Sequence, residues 1–204
     1  MSSKRFIYIV DDDEEFRFSL VLLLRAGGFE AVSFDSAHRF LESVRDLAHG
    51  CVLVDVRMPN MNGLELQKRL NDSAAGLPVI VITGQADIHT AVTAMKEGAT
   101  DFIEKPVDAG RLFGAIESAF ALSRRVRRHA EAVTAARRLS ALSPRERQVL
   151  DALVKGRTAK MIAHDLGISA RTVEVHQARM LGRLGLRRAT EAVTLSVAAS
   201  FGSL

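Results

Sequence analysis

The chain has 204 residues, 48% hydrophobic and 25% charged, enough apolar material for one or two ordinary cores and too much for a disordered chain. No run approaches the roughly 20 apolar residues of a membrane span, and the five-residue apolar run after residues 1–5 is too short for a signal-peptide core. Cys51 is the single cysteine, which excludes an internal disulfide and makes a cytoplasmic location the expectation.

The net charge of +4 is unevenly placed. Residues 1–122 hold 12 Lys and Arg against 18 Asp and Glu, whereas residues 123–204 hold 16 against 6. An acidic part joined to a basic part suggests two domains, the second suited to a polyanion.

The acidic part alternates short apolar runs with helical stripes. Phe6 to Val10 is a continuous apolar run ending in Asp11, Asp12 and Asp13. From Glu14, the residues Phe16, Leu20, Leu23 and Leu24 recur at helical spacing until Gly27 and Gly28 stop the pattern. Glu30 to Phe34 is a second strand candidate, and Ser36 is placed to cap a helix carrying Phe40, Leu41, Val44 and Leu47. Residues 51–54 run straight into Asp55, with Pro59 and Gly63 breaking the chain beyond, as expected of a strand buried on both faces of a parallel sheet. Leu64, Leu66 and Leu70 mark a third helix, and residues 78–82 a fourth strand ending at Thr83 and Gly84. Asp87 can cap a helix bearing Ile88, Ala91, Val92 and Met95, closed by Gly98. Phe102 and Ile103 make a last strand before Lys105 and Pro106, and Asp108 can cap the helix after it. Five strands alternating with five helices imply right-handed crossovers and an α/β, doubly wound parallel sheet.

In such a sheet the carboxyl ends of all strands lie on one edge, where ligand sites form. That edge gathers Asp11 and Asp12, then Asp55, Thr83 and Lys105 from three further strands. Clustered carboxylates repel unless a cation joins them, and hard oxygen donors with few protein contacts suit Mg2+, which keeps several waters and binds phosphate oxygens. A carboxylate beside such a metal, with an ammonium and a hydroxyl ready for further oxygens, is equipped to accept a phosphoryl group. Asp13 reads as surface charge or a helix cap.

These residues resemble the receiver domains of two-component response regulators, over residues 4 to 122. The resemblance implies a flavodoxin-like fold with Asp55 as phospho-acceptor. Mg2+ (or Mn2+) would be held by Asp12, Asp55 and the backbone carbonyl of Arg57, with Asp11 acting through water. Thr83 and Lys105 would contact the phosphoryl oxygens, Phe102 would be the switch aromatic, and Lys105-Pro106 would be a cis peptide. Phosphotransferases of the haloacid-dehalogenase class also form an aspartyl-phosphate, but they carry a second Asp two residues on. Asp55-Val56-Arg57 lacks it, so a self-phosphorylating receiver is expected and not a turnover enzyme.

Past Asp108 the helical spacing of Leu112, Ile116, Ala119, Val126, Ala130 and Val133 continues through Arg138, so residues 123–139 read as a helical linker prolonging the fifth helix. Its stripe is thin and Ala-rich, too little for a stable coiled coil on its own. Arg124, Arg125, Arg127 and Arg128 are read as a solvated linker face, in part paired with the acidic receiver, in preference to nucleic-acid contacts. Ser143, Pro144 and Glu146 then make a capping box with proline at the first helical position. Val149, Leu150, Leu153 and Val154 supply that helix's apolar face as far as Gly156. Thr158 precedes a helix with Met161, Ile162 and Leu166 that stops at Gly167. Ser169 caps another from Ala170 to Leu184, with Val173 and Met180 facing inward. Two short helices joined by residues 166–169 are a helix-turn-helix, and a fourth helix follows from Thr190 with Ala192, Val193, Leu195 and Val197. The six histidines show no metal-ligand spacing.

Residues 140–204, a small all-α four-helix segment, resemble the LuxR-type (NarL/FixJ-type) helix-turn-helix through LSPRERQVL at 142–150, KMIA at 160–163 and RTVEVH at 171–176. By this resemblance Glu174, Val175 and Ala178 point toward base edges, and Glu174 can accept from a cytosine amino group. Lys160, Arg171, Thr172, His176, Arg179 and Arg183 would lie near phosphates, and the last helix would serve dimerisation on DNA. Gln177 stands where many relatives carry a basic residue. The two resemblances, in the order of FixJ-type response regulators, imply a phosphorylation-controlled, sequence-specific transcription regulator. Its implied partners are a sensor histidine kinase, promoter DNA and, on phosphorylation, a second copy through a face including Ala91, Met95 and Lys96. RNA polymerase is a further candidate partner, and no membrane association is expected. The alternative expectation is a DNA-binding regulator indifferent to phosphorylation, which would have no need of Asp12, Asp55, Thr83 and Lys105 together.

Overall fold

The computed structural model describes residues 4–73, 76–84 and 88–201, with Ile88 described by its backbone alone. The chain divides into two compact units, residues 1–124 and 125–204. The first contains β1 (Phe6–Val10), α1 (Glu14–Ala26), β2 (Glu30–Phe34), α2 (Ala37–Ser43), β3 (Gly50–Asp55), α3 (Gly63–Asp72), β4 (Val79–Thr83), α4 (Ile88–Lys96) and β5 (Asp101–Glu104). The helix α5 (Ala109–Ser140) begins there. The strands form one parallel sheet in the order β2-β1-β3-β4-β5.

Alternation along each strand divides the core in two. Ile7, Ile9, Cys51, Leu53, Ile80, Ile82 and Ile103 face one side, under Leu20 and Leu24 of α1 and Leu112 and Ile116 of α5. Tyr8, Val10, Val52, Val54, Val79 and Val81 face the other, under Phe40 of α2, Leu66 and Leu70 of α3 and Ala94 of α4. Both faces are covered, so the central strands carry unbroken apolar runs and not an alternating pattern.

The capping signals act locally and are seen where expected. Asp13 accepts from the Phe16 N–H at 3.1 Å, Ser36 caps α2, and Asp108 accepts from the Arg111 N–H at 2.8 Å. The expected Asp87 cap lies outside the described residues. The Lys105-Pro106 peptide is cis. The helix α2 is shorter than its apolar spacing suggests. Ser43 turns its hydroxyl onto the Arg39 carbonyl and the Asp46 N–H closes a turn on Ser43, so Val44 ends the helix and Leu47 reaches the core from the turn.

The second unit comprises the carboxyl-terminal half of α5 with α6 (Pro144–Val154), α7 (Ala159–Leu166), α8 (Ala170–Leu184) and α9 (Ala189–Ser200). One small core joins Leu139, Leu142, Leu150, Met180, Leu184 and Ala192; another joins Val149, Ile162, Ala163 and Val173. Val154 and Met161, expected on apolar faces, are exposed, because two small cores are filled by Val149, Leu150 and Ile162 without them. The single stripe expected along α5 also divides: Leu112, Ile116 and Ala119 are buried, Val126 and Val133 are exposed, and Leu139 takes over as the buried contact. Among the described residues no helix is long and apolar enough to cross a membrane.

Candidate functional site

The register β1–β3–β4–β5 brings the expected acidic edge together. Asp11 follows β1 and Asp55 ends β3, and both are buried, with 2% and 6% of their surface exposed. Lys105 reaches between them, its ammonium 2.8 Å from Asp11 Oδ2 and 2.9 Å from Asp55 Oδ1. Backbone donors hold the other oxygens: the Asp13 N–H donates to Asp11 Oδ1 at 2.9 Å and the Arg57 N–H to Asp55 Oδ2. Thr83 is buried at the end of β4, where its carbonyl accepts from the Lys105 N–H at 2.8 Å. Asp12 is exposed beside this cluster, and Phe102 is half-buried on β5 against the second core.

Burial raises the Asp11 carboxyl above its ordinary value, against the lowering effect of Lys105 and the Asp13 N–H. Burial also works against the Lys105 ammonium, but Asp11 and Asp55 together outweigh it and hold its pKa above the usual lysine value. Two buried carboxylates share one ammonium, which leaves a negative site of hard oxygens. Among the described residues no three His, Cys, Asp or Glu side chains converge to hold a metal by themselves. Asp11 and Asp55 would offer a cation hard oxygen donors, the kind that Mg2+ takes while keeping several waters.

Several supporting residues were not legible as such. Phe16 lays its ring 3.8 Å from the Lys105 ammonium, and Arg17 donates to the Asp11 carbonyl at 2.7 Å. The loop after β3 folds back so tightly that a Cβ on Gly63 would lie 2.1 Å from the Asp55 carbonyl oxygen. Asn60 takes the left-handed φ of 66° and Asn62 caps α3, accepting from the Glu65 N–H at 2.8 Å. The Asn-Met-Asn-Gly run carried the turn signal for that loop; nothing local announced Phe16 or Arg17. A cleft of about 460 Å3 opens beside Lys105, lined by Phe16, Leu20, Leu23, Pro106 and Val107 among others.

In the second unit, Thr158 caps α7, Gly167 ends it at φ 65°, and Ser169 caps α8 by accepting from the Thr172 N–H at 3.0 Å. Val173, Met180 and Leu184 hold α8 to the core. Arg171, Glu174, Val175, Ala178 and Arg179 stand exposed on its outer face, Lys160 is exposed on α7, and Thr172 and His176 are half-buried. Arg183 is placed differently from the others. Its Nε lies 3.2 Å from Glu146 Oε2 and its Nη1 donates to the Ala141 carbonyl at 3.4 Å. Glu146 is the buried member of the capping box, and the Ser143 N–H holds its carboxyl below the ordinary value against burial, with help from the charge of Arg183.

Residues 7–117 match the family described as response regulator receiver domain, and residues 140–196 match the bacterial regulatory proteins of the luxR family. The chain belongs to the response regulators and is a FixJ-like transcription regulator with a receiver domain and a LuxR-type DNA-binding domain. It is 42% identical over 200 residues to the transcriptional regulatory protein FixJ of Bradyrhizobium diazoefficiens, covering 98% of each chain. It is similar in structure to full-length FixJ from B. japonicum, with a TM-score of 0.60 and 41% identity over 98% of each chain. The response regulator StyR gives a TM-score of 0.66 and 39% identity over 96% of this chain and 99% of the other.

Proposed function

We propose that Asp55 accepts a phosphoryl group from the phosphohistidine of a sensor kinase, and that this controls DNA binding by α8. The observation that carries the reading is the buried Asp55 carboxylate sharing the Lys105 ammonium with Asp11. An Asp55 oxygen forms the new P–O bond as the donor's P–N bond breaks, and the released imidazole takes a proton from solvent. Mg2+ or Mn2+ held by Asp12, Asp55 and the Arg57 carbonyl, with Asp11 through water, would neutralise charge on the phosphoryl oxygens. Lys105 moves from Asp55 onto a phosphoryl oxygen, the Thr83 hydroxyl donates to another, and Phe102 turns into the space that Thr83 vacates. The phosphoryl group brings up to two negative charges and three acceptors, which is enough to reorganise three such contacts.

The DNA contacts are read from the outer face of α8. Glu174, Val175 and Ala178 reach base edges, and Lys160, Arg171, Thr172, His176 and Arg179 lie along phosphates. Arg183 serves first to hold α8 against α6. The receiver spans residues 1–122, the linker 123–139 and the DNA-binding domain 140–204. The phosphorylated protein pairs with a second copy on promoter DNA, where RNA polymerase is the remaining partner.

The test is incubation with acetyl phosphate and Mg2+, followed by intact mass and DNA-binding measurements on one sample. Wild type gains one phosphate and binds more tightly; Asp55→Asn gains none and stays folded. Equal incorporation by Asp55→Asn refutes the acceptor assignment. Incorporation without any change in DNA affinity supports the regulator indifferent to phosphorylation.

A further inference from the structure

The linker half of α5 carries an exposed pattern that the DNA-binding and receiver sites do not use. Leu122, Val126, His129, Val133 and Ala136 recur in steps of four, three, four and three residues, the spacing of a coiled-coil seam. All five are exposed, Leu122 to 49%, Val126 to 61% and Val133 to 55%. The helix packs into the second unit through a different side, where Leu139 is buried. The arginines fall off the stripe: Arg124, Arg127, Arg128 and Arg138 occupy the outer positions, with only Arg125 and Arg137 flanking it. An apolar stripe kept clear of charge on an otherwise arginine-rich helix needs a partner with the same spacing. We propose that this partner is α5 of a second copy, paired in parallel and in register.

The flanking charges agree with that occupant. In a parallel pair a residue preceding one seam position faces the partner residue five places further on. Arg125 therefore meets Ala130 of the second copy and not another arginine. His129 forms the one polar layer, and a single polar layer fixes register at a cost in stability. Parallel pairing also keeps both helix-turn-helix segments at the same end of the pair, as half-sites about 34 Å apart require. A seam of five thin layers is far smaller than the roughly 800 Å2 per partner of a stable interface. Alone it closes only at high protein concentration, and it closes fully when the receivers already hold two copies together, so the inference rests on the dimerising regulator proposed above and names a second contact within that dimer.

The test uses the full chain and its convenient background, since Cys51, the sole cysteine, is buried. Val126→Cys and Val133→Cys are oxidised with and without beryllofluoride and Mg2+, beside the outer-face controls Arg124→Cys and Arg128→Cys. The seam positions are expected to form disulfide dimers about tenfold faster than the controls with beryllofluoride present, because only their thiols meet their own symmetry mates. Equal rates at all four positions overturn the seam. The double variant Val126→Asp, Val133→Asp alters exposed side chains and keeps the helical signal. Its beryllofluoride-induced dimer is expected to be at least about tenfold weaker by light scattering. A dimer of unchanged strength overturns the seam and leaves the proposed function standing. If wild type fails to respond to beryllofluoride, the phosphorylation reading falls, and cross-linking at raised protein concentration still decides the seam by the same contrast.

Discussion

Replacing Lys105 by Met removes the ammonium between Asp11 and Asp55 and keeps an apolar stem of similar length. Both carboxylates lie within 3 Å of one nitrogen, and removing the shared cation from such a buried cluster costs about 3 kcal/mol, the lower end of the usual range for a broken buried ion pair. The lost contact between the ammonium and Phe16 adds up to about 1 kcal/mol, and relief of the desolvation that burial imposes on the lysine charge offsets a similar amount. In EDTA the receiver is therefore expected to lose about 3 kcal/mol. At a slope of about 1.5 kcal/mol/M, its urea midpoint falls by about 2 M. Tyr8 is the one tyrosine, there is no tryptophan, and it is buried in the receiver core, so its fluorescence reports this unit alone. Mg2+ at about 100 times its Kd contributes about 2.7 kcal/mol and should nearly restore the midpoint. A midpoint that falls equally in Mg2+ and EDTA, or by less than about 0.5 M in EDTA, would refute the picture of an acidic site neutralised interchangeably by ammonium and metal.

Gly63→Ala should cost more than about 3 kcal/mol in receiver stability, read by the same Tyr8 transition, because its Cβ must enter the backbone of Asp55. Glu146→Gln should lower the stability of the second unit by about 1 kcal/mol at neutral pH, the difference between a charged and a neutral acceptor for Ser143 and Arg183. Since the folded Glu146 value is depressed, that stabilisation is complete above the ordinary value of 4.5 and is lost as pH falls through the folded value, so the thermal melts of variant and wild type should converge in acid. Arg179→Ala and Lys160→Ala should weaken binding to all duplexes alike and each reduce the salt slope by about one unit. Glu174→Ala should instead change the preferred bases in a binding-site selection; an unchanged preference would remove it from the base-reading set.

What the sequence revealed of this molecule was what short stretches can encode. Ser36, Ser143, Ser169 and Asp108 cap their helices because a cap needs only a side chain and a backbone three residues away. The strand runs were equally plain, since both faces of a parallel sheet are covered. Asp11, Asp55 and Lys105 could be placed on one edge by topology alone, without any knowledge of distances. Phe16 under Lys105 and Arg183 against Glu146 depend on how separate helices pack, and no local pattern encodes that. Val126 and Val133 continued the spacing of Leu112 and Ile116, but spacing does not say whether the surface opposite belongs to the same chain.

The tie between Arg183 and Glu146 also sets a limit for anyone rewriting which DNA this protein reads. Positions 171, 174, 175, 178 and 179 are open to exchange, because their side chains leave the surface of α8 outward. From Met180 onward the same helix belongs to its scaffold, through a buried methionine, a buried Leu184 and a guanidinium locked onto the start of α6. A helix transplanted whole with anything but arginine at 183 would lose this tie and tilt on its seat, disturbing the outer face proposed to meet the bases. Exchanging residues 171, 174, 175, 178 and 179 alone, with Val173 left in place, keeps the seat and would change only the reading proposed for this face.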